Sequence, residues 1–193
     1  NEISKVTNLR SKMFCVTPNH FIKNIKEIIK INEEPFAGLP VLAYYLCLKF
    51  ASKTKVILDG SGIDESHTGY NKYFDKKLPI KSNFSSAQDG SRSVFENIIN
   101  KNFFKNFGEL KNNISLPFSN VFENSKYLDL FYLKLPRALR FRDKFSMSLG
   151  KELRPCFLNP NLIAALFKIK KEEQYKNGFG KFLLREIYKN ELS

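Results

Sequence analysis

The chain has 193 residues, with 32 Lys or Arg against 19 Asp or Glu, which gives a formal net charge of +13. This length allows a buried core and corresponds to one domain or a large part of one. The basic residues are dispersed and form no arginine-rich block, so the charge is weak evidence for a nucleic-acid partner. The apolar stretches are interrupted by Lys or Pro well short of a membrane span. We therefore expect neither a membrane protein nor a nucleic-acid-binding protein.

Cysteine usage indicates a reducing compartment. Cys15, Cys47 and Cys156 are widely separated in apolar surroundings and form no C-x-x-C pair. An odd number of such residues favours buried thiols over a disulfide framework or a zinc site. We expect a cytoplasmic protein. We expect no signal peptide, and because the sequence begins at Asn1, we interpret it as a segment of a longer protein or as a processed chain.

The first third of the chain predicts one strand and two helices. Residues 12–16 are a short apolar strand candidate. Thr17-Pro18 is a typical helix start, and apolar residues at helical spacing continue to about Lys30. Residues 33–38 break the pattern, and Pro40 then begins a strongly apolar helix that reaches Phe50.

The stretch after the second helix carries the strongest chemical signal. Residues 56–58 predict a short buried strand, and Gly60 and Gly62 follow it directly. Glycine permits positive φ, so the turn can direct N–H groups at an anion, and a helix beginning near Asp64 would add its positive end. The adjacent carboxylates Asp64 and Glu65 suit a metal ion that accompanies phosphate. The alternative is a tight strand-to-helix turn in which Asp64 only caps the helix.

Two further segments in the middle of the chain have no assigned chemistry. Residues 75–92 are rich in Lys, Ser, Asn and Gly, which predicts a loop, either a lid or substrate loop or a disordered connector. Residues 93–107 predict an amphipathic helix whose Phe and Ile residues share one side. Aromatic residues at this spacing favour core packing over stacking on nucleic-acid bases.

The last third predicts three helices. Residues 127–149 are helical on both sides of Pro136, which should cap or kink the helix. Its charged patch, taken alone, is typical of a salt-bridged helix face. Residues 161–167 predict a short helix, and the lysine-rich run to Lys176 predicts an exposed loop. Lys181 in the first turn of the last helix and Arg185 share a face, so they could reach one phosphate, or they could be solvent-exposed charges.

Three segments resemble, in order, motifs of the glutamine-dependent asparagine synthetase family. The string L-D-G-S-G-I-D-E at residues 58–65, followed by Gly69-Tyr70, is similar to the family's S/D-G-x-G-x-D-E-x-x-x-G-Y motif. Residues 135–158 resemble its D-R-x-S-M and E-x-R-x-P-F-L-D segments, and residues 181–185 resemble its K-x-x-L-R motif. Glu34-Pro35 and the following apolar helix also match the acidic-Pro segment and buried helix found before the glycine motif.

The match departs from the family pattern in its second segment. Lys144 stands where Arg is usual, Pro155-Cys156 replaces Val-Pro, and Asn159 replaces Asp. In the family this stretch mainly forms the wall behind the active site. The resemblance therefore implies that Asp143 and Arg154 are structural support.

The resemblance implies an α/β fold of the pyrophosphatase-loop ATPase type, related to the adenine-nucleotide alpha hydrolases. Residues 1–193 would form its C-terminal, mostly helical part, without the upstream S-G-G-x-D-S phosphate loop and the glutaminase domain, and would be inactive alone. The glutaminase domain of the same polypeptide is the implied partner. The implied reaction is ATP-dependent adenylation of a small-molecule carboxylate, followed by amide formation with ammonia derived from glutamine.

The resemblance also implies roles for individual residues, with ATP and Mg²⁺ as cofactors. Asp64 would be the metal ligand, and Lys181 and Arg185 would hold the pyrophosphate. Lys181 would also be catalytic, because it stabilises charge during adenylation. The turn at residues 59–62, which contains Asp59, Gly60 and Gly62, would face the nucleotide. Glu65 would hold the turn.

Ser61 is the most informative departure. Family members that act on aspartate resemble one another in having Glu at this position, beside the substrate and the incoming ammonia. A hydroxyl carries no charge and is too weak a base near neutral pH to take the same part in catalysis. Ser61 therefore predicts either a different acceptor, such as a sugar acid in surface-polysaccharide synthesis, or drift in an asparagine synthetase. A non-catalytic binding module or a basic nucleic-acid-binding module is the remaining alternative.

Overall fold

The computed structural model describes residues 2–34, 38–51, 53–74 and 114–192. This part of the chain is mostly helical, with two short strands. The helices are α1 Glu2–Thr7, α2 Pro18–Asn32, α3 Leu39–Phe50, α4 Ile63–Ser66, α5 Val121–Phe131, α6 Lys134–Ser148, α7 Pro160–Lys168, α8 Lys171–Gln174, α9 Phe182–Ile187 and α10 Lys189–Leu192. The strands are β1 Val56–Asp59 and β2 Glu152–Pro155, and a 3₁₀ turn covers Asn71–Phe74. The predicted loop at 75–92 and helix at 93–107 lie outside the described residues.

Helix α2 begins where the sequence predicted. Thr17 is its N-cap, and the Thr17 amide donates a hydrogen bond to Nδ1 of His20 at 3.2 Å. The C-cap of the helix is Glu33, which adopts a left-handed φ of 61° and donates its N–H to the Ile29 carbonyl at 2.8 Å. The strand predicted at residues 12–16 is wrong. Strand pairing needs a neighbouring strand, and in the described chain this segment has none, although Phe14 and Val16 pack against the core.

The hydrophobic core lies between α2, α3 and α6. Its buried members come from these three helices: Ile28, Leu42, Tyr45, Leu46, Leu48 and Phe145. The rings of Tyr45 and Phe145 meet with their centroids 5.2 Å apart. Each such side chain stabilises the fold by about 1.5–3 kcal/mol when it is fully buried. This core fixes α6 against the sheet and so positions the site described below.

Strands β1 and β2 pair in parallel, with Val56 opposite Glu152 and Asp59 opposite Pro155. The prediction of β1 is confirmed, but the expectation that it is buried is wrong. Ile57 packs against the core, whereas Val56 is 40% exposed and Leu58 is 73% exposed. The alternation arises because successive strand residues point to opposite faces. The second strand was not predicted.

Three further expectations need correction. The helix expected across residues 127–149 is interrupted at Tyr132 and Leu133, and Pro136 lies in the first turn of α6, where its missing N–H costs nothing. The lysine-rich run contains the short helix α8, whose Gln174 is buried because its amide is bonded inside the fold. All three cysteines are exposed, so the expectation of buried thiols is wrong. No helix in the described ranges is long and apolar enough to cross a membrane.

Candidate active site

The glycine turn connects the end of β1 to α4. Gly62 is the N-cap of α4 with φ of 85°, and a Cβ atom there would collide with the Leu158 side chain. A glycine is therefore required at this position. Gly60 is different, since a Cβ atom there would meet nothing within 4 Å. Asp64 does not cap the helix and lies in its first turn instead.

Asp59 and Ser61 are bonded to each other across the turn. Oδ1 of Asp59 accepts the Ser61 amide at 3.2 Å, and Oδ2 accepts the Ser61 hydroxyl at 2.5 Å. Ser61 is buried, with 3% of its surface exposed. Its hydroxyl proton is therefore donated to the Asp59 carboxylate.

Two side chains from other elements complete this cluster. The Tyr44 hydroxyl of α3 donates to Oδ2 of Asp59 at 3.1 Å, and burial together with the Asp59 charge raises the pKa of Tyr44. Nη1 of Arg142 lies 3.4 Å from the same oxygen and donates to the Ser61 hydroxyl oxygen. The Arg142 guanidinium also lies over the Tyr44 ring, 4.8 Å from its centroid. Sequence reasoning placed Arg142 in a charged helix face and missed both residues as members of the site.

Lys181 and Asp64 form an ion pair. Nζ of Lys181 lies 2.7 Å from Oδ1 of Asp64, and the two side chains are 29% and 36% exposed. Gly69 makes this approach possible, because a Cβ atom there would collide with Oδ1 of Asp64 and with Cε of Lys181. Lys181 is not in the first turn of the last helix, as expected, but is the N-cap of α9 with a left-handed φ of 57°.

Arg185 lies near Lys181 on the same surface. Its Nε donates to the Gly180 carbonyl at 3.2 Å, and its guanidinium lies 5.6 Å from the centroid of the Phe179 ring. Lys181 and Arg185 both line a cavity of about 460 Å³, together with Ile63 and Phe157. Two cations thus border a space next to the first turn of α4.

The segment between α4 and the 3₁₀ turn is held by buried polar contacts. The Ser66 hydroxyl lies 2.8 Å from Nδ1 of His67, and the His67 carbonyl accepts the Lys181 amide at 3.0 Å. Burial lowers the pKa of His67 to about 4, and the positive charges of Lys126 and Lys181 act in the same direction. His67 is therefore neutral at pH 7, and its role is to pack in the interior next to Lys181.

A buried lysine anchors the same segment from the other side. Lys126 of α5 is fully buried, and its Nζ donates to Oε1 of Gln174 at 2.7 Å. Nε2 of Gln174 donates to the main-chain carbonyl of Leu166 at 3.0 Å. The main-chain carbonyl of Gln174 accepts a hydrogen bond from the Thr68 hydroxyl at 3.1 Å. Burial lowers the pKa of Lys126 to about 8. This network joins α5, α7 and α8 to the segment that carries His67.

Glu65 is bonded within the fold. It is 5% exposed, and its Oε1 accepts the Tyr70 hydroxyl at 2.8 Å. Burial raises the pKa of the Glu65 carboxyl. Nearby, Oδ2 of Asp129 accepts the Tyr73 hydroxyl at 2.8 Å and pairs with Nζ of Lys72 at 2.6 Å. Glu65 thus ties α4 to the residues that follow it.

The charges of α6 and β2 are mostly paired. Nζ of Lys144 lies 3.0 Å from Glu33 and donates to the Asn32 carbonyl at 2.6 Å, which joins α6 to the end of α2. Arg154 pairs with Glu152 at 2.7 Å, but both side chains are 60% exposed. Such exposed pairs contribute about 0–1 kcal/mol, so Arg154 gives little structural support.

The donor set near Asp64 fits only one kind of metal site. Within the described ranges, no group of three or more His, Cys, Asp and Glu side chains could hold a metal ion. Mg²⁺ in nucleotide sites is commonly bound by one or two carboxylates, water and the substrate phosphates. Asp64 is a partly exposed carboxylate with one oxygen outside the ion pair. It fits a magnesium ion held mainly by phosphate and not an all-protein site.

Comparison with known proteins gives the family. Residues 1–192 match the profile of the family described as asparagine synthase. The chain belongs to the asparagine synthase family. It is similar to "Asparagine synthetase [glutamine-hydrolyzing] 1" of Bacillus subtilis (strain 168), with 24% identity over 213 residues that cover 89% of this chain and 34% of the relative. The chain thus spans about a third of that relative's length. No solved structure matches the chain.

Proposed function

We propose that this chain is the C-terminal part of an ATP-dependent carbon–nitrogen ligase of the asparagine synthetase type, with a pyrophosphatase-loop fold. The observation that carries the proposal is the Asp64–Lys181 ion pair next to Arg185, formed by two of the three family-like motifs. A carboxylate and two cations at one helix end suit a nucleoside triphosphate and its magnesium ion. The glutaminase domain of the same polypeptide and a cytoplasmic location belong to this proposal.

The reaction divides into two balanced steps. A carboxylate oxygen of the acceptor attacks the α-phosphorus of ATP, and the bond to the β-phosphate oxygen breaks to release pyrophosphate. Ammonia from glutamine then attacks the acyl carbon, AMP leaves with the bonding electrons, and the nitrogen loses a proton. Both steps build negative charge on a leaving group, which fixed cations stabilise.

Each site residue has a distinct part in this proposal. Lys181 and Arg185 bind the β- and γ-phosphates and hold the departing pyrophosphate. Asp64 would hold Mg²⁺, which neutralises phosphate charge when it is bound. In that state Lys181 exchanges its partner Asp64 for phosphate oxygens. The backbone at Asp59, Gly60 and Gly62 faces the nucleotide.

The acceptor is either aspartate or another carboxylate, with a sugar acid as the main alternative. Ser61 favours the alternative, because a neutral hydroxyl offers no charge to the amine and is too weak a base near neutral pH to take its proton. The test is an assay of AMP release by the whole protein with ATP, glutamine and either aspartate or a panel of uronic and nucleotide-linked sugar acids. Efficient asparagine formation by the Ser61 form rejects the sugar acid. Activity with a sugar acid, and none with aspartate until Ser61→Glu is introduced, rejects asparagine synthesis.

A further inference from the structure

A second, larger cavity lies between α6 and the sheet. Its volume is about 800 Å³, within the range of small-molecule sites, which is about 300–1,000 Å³. Lys55, Val56 and Asp59 line it from the side of β1, and Leu139, Arg142 and Leu153 line it from α6 and β2. We call this space the α6 cavity. It reaches the Asp59–Ser61 turn and is separate from the cavity lined by Lys181 and Arg185.

Arg142 presents unused hydrogen-bond donors at this cavity. Within the described residues, only Nη1 of its guanidinium is bonded, to Asp59 and Ser61. Nε and Nη2 have no hydrogen-bond partner there, and the side chain is 30% exposed. The Tyr44 ring lies 4.8 Å from the guanidinium carbon and fixes its plane. A planar fork held in this way matches the two oxygens of a carboxylate.

The other charged residues that line the cavity are mostly engaged. Nζ of Lys151 donates to the Ala51 and Thr54 carbonyls at 2.5 and 2.8 Å. Arg140 pairs with Glu34, Glu152 pairs with Arg154, and Asp59 is offset by Arg142 itself. Asp143 is exposed, as is Lys55 on the side of β1. Arg142 is therefore the rigid cation that can recognise an anionic group here.

We propose that Arg142 is the acceptor-recognition residue and that the acceptor carries two carboxylates. This inference rests on the proposed function. The guanidinium binds the carboxylate that does not react, because a carboxylate held by a bidentate ion pair donates its electrons poorly to phosphorus. The other carboxylate projects toward the nucleotide past Ser61. Aspartate and aldaric acids belong to this class, whereas uronic acids with one carboxylate do not.

The kinetic test uses acids that differ by one carboxylate. ATP–pyrophosphate exchange by the whole protein is measured with aspartate against β-alanine and with glucarate against glucuronate. Arg142→Gln should raise the KM of the preferred diacid by about 10- to 100-fold, as expected for the loss of a charge-assisted hydrogen bond. The KM of the matched monoacid should rise far less, because the monoacid has no second carboxylate for the guanidinium to bind. Arg142→Lys should restore part of the affinity, and Arg10→Gln, at an exposed arginine outside the cavity, should change nothing. Equal effects on diacid and monoacid overturn the inference.

A binding test separates this inference from the proposed reaction. Calorimetry with succinate and its neutral diamide, without ATP, is applied to the same variants after thermal unfolding has shown that they are folded. Binding of succinate that is lost in Arg142→Gln and kept in Arg10→Gln supports the carboxylate site. If that result accompanies an absence of exchange with every acid, the ligase proposal fails and the carboxylate site stands. Succinate binding that is equal in all variants overturns the site.

Discussion

The ammonium of Lys181 lies 2.7 Å from the carboxylate of Asp64, although the two residues are far apart in sequence. The sequence predicted one as a phosphate-binding cation and the other as a metal ligand. In the structure each is the other's partner, across the gap that Gly69 leaves open. The pair holds both side chains in position: under the proposed function phosphate would bind Lys181 and a metal ion would bind Asp64.

Replacement of Lys181 is expected to separate activity from stability. In the whole protein, Lys181→Ala should abolish ATP–pyrophosphate exchange, because under the proposed function the Lys181 ammonium stabilises the negative charge of the departing pyrophosphate. The free energy of unfolding should change by no more than about 1 kcal/mol, as for other partly exposed ion pairs. The exposed Lys49→Ala, which removes a surface ion pair with Glu27, is the control for exchange. Exchange at the normal rate in Lys181→Ala would remove Lys181 from the site.

The two turn glycines should differ sharply in stability. Gly62→Ala combines a φ of 85° with a collision against Leu158, so we expect it to lower the free energy of unfolding by about 1–3 kcal/mol or more. Gly60→Ala adds a methyl group to open space and should change it by less than about 0.5 kcal/mol. Urea denaturation of the two variants measures both values. Similar losses in the two variants would contradict this account of the turn.

His67 should make stability depend on pH in the acid range. Its folded pKa is about 4 against an ordinary value of 6.5, so between these values the unfolded chain binds more protons. Stability from this group is therefore complete above pH 6.5 and falls as the pH is lowered toward 4. The slope is at most about 1.4 kcal/mol per pH unit. The difference in unfolding free energy between the wild type and His67→Leu should follow this course, and a constant difference would disprove it.

Lys126 and Gln174 should be energetically coupled. Their hydrogen bond is 2.7 Å long and buried, so removal of either partner leaves a polar group without a partner. A double-mutant cycle with Lys126→Met and Gln174→Leu should give a coupling energy of about 0.5–3 kcal/mol in urea unfolding. The exposed pair of Arg154 and Glu152 is the comparison and should give about 0–1 kcal/mol. A coupling energy no larger than that of the exposed pair would show that the buried hydrogen bond does not stabilise the fold.

Local patterns predicted the local structure well. The signals for α2 and α3, their helix-start residues and apolar residues, belong to the helices themselves or to the residues next to them. Both predicted helices are confirmed. The strand at residues 12–16 had an equally good apolar pattern but finds no partner strand among the described residues. Strand β2 has only one purely apolar aliphatic residue, Leu153, and exists because β1 lies beside it. Strand pairing depends on distant residues, which a single sequence does not reveal.

The same limit applies to the candidate site. Asp64 and Lys181 were placed in one site by resemblance to a family, and they lie together. Arg142 is 81 residues from Ser61, and nothing in the charged patch of α6 distinguishes it from its neighbours. Gln174 was assigned to an exposed loop because its neighbours are charged, yet it is buried. Polar residues that act through long-range contacts leave no periodic signal.

The exposed apolar side chains of β1 have a consequence for handling the protein. Val56 and Leu58 project from β1 with 40% and 73% of their surfaces exposed. Parallel sheets are normally covered on both faces, and uncovered apolar strands promote self-association. We expect residues 1–193, when expressed by themselves, to aggregate at high concentration unless Leu58 is replaced by a charged residue. Light scattering of the isolated chain and of Leu58→Lys tests this expectation. Equal scattering by the two chains would show that the colloidal behaviour does not depend on this strand.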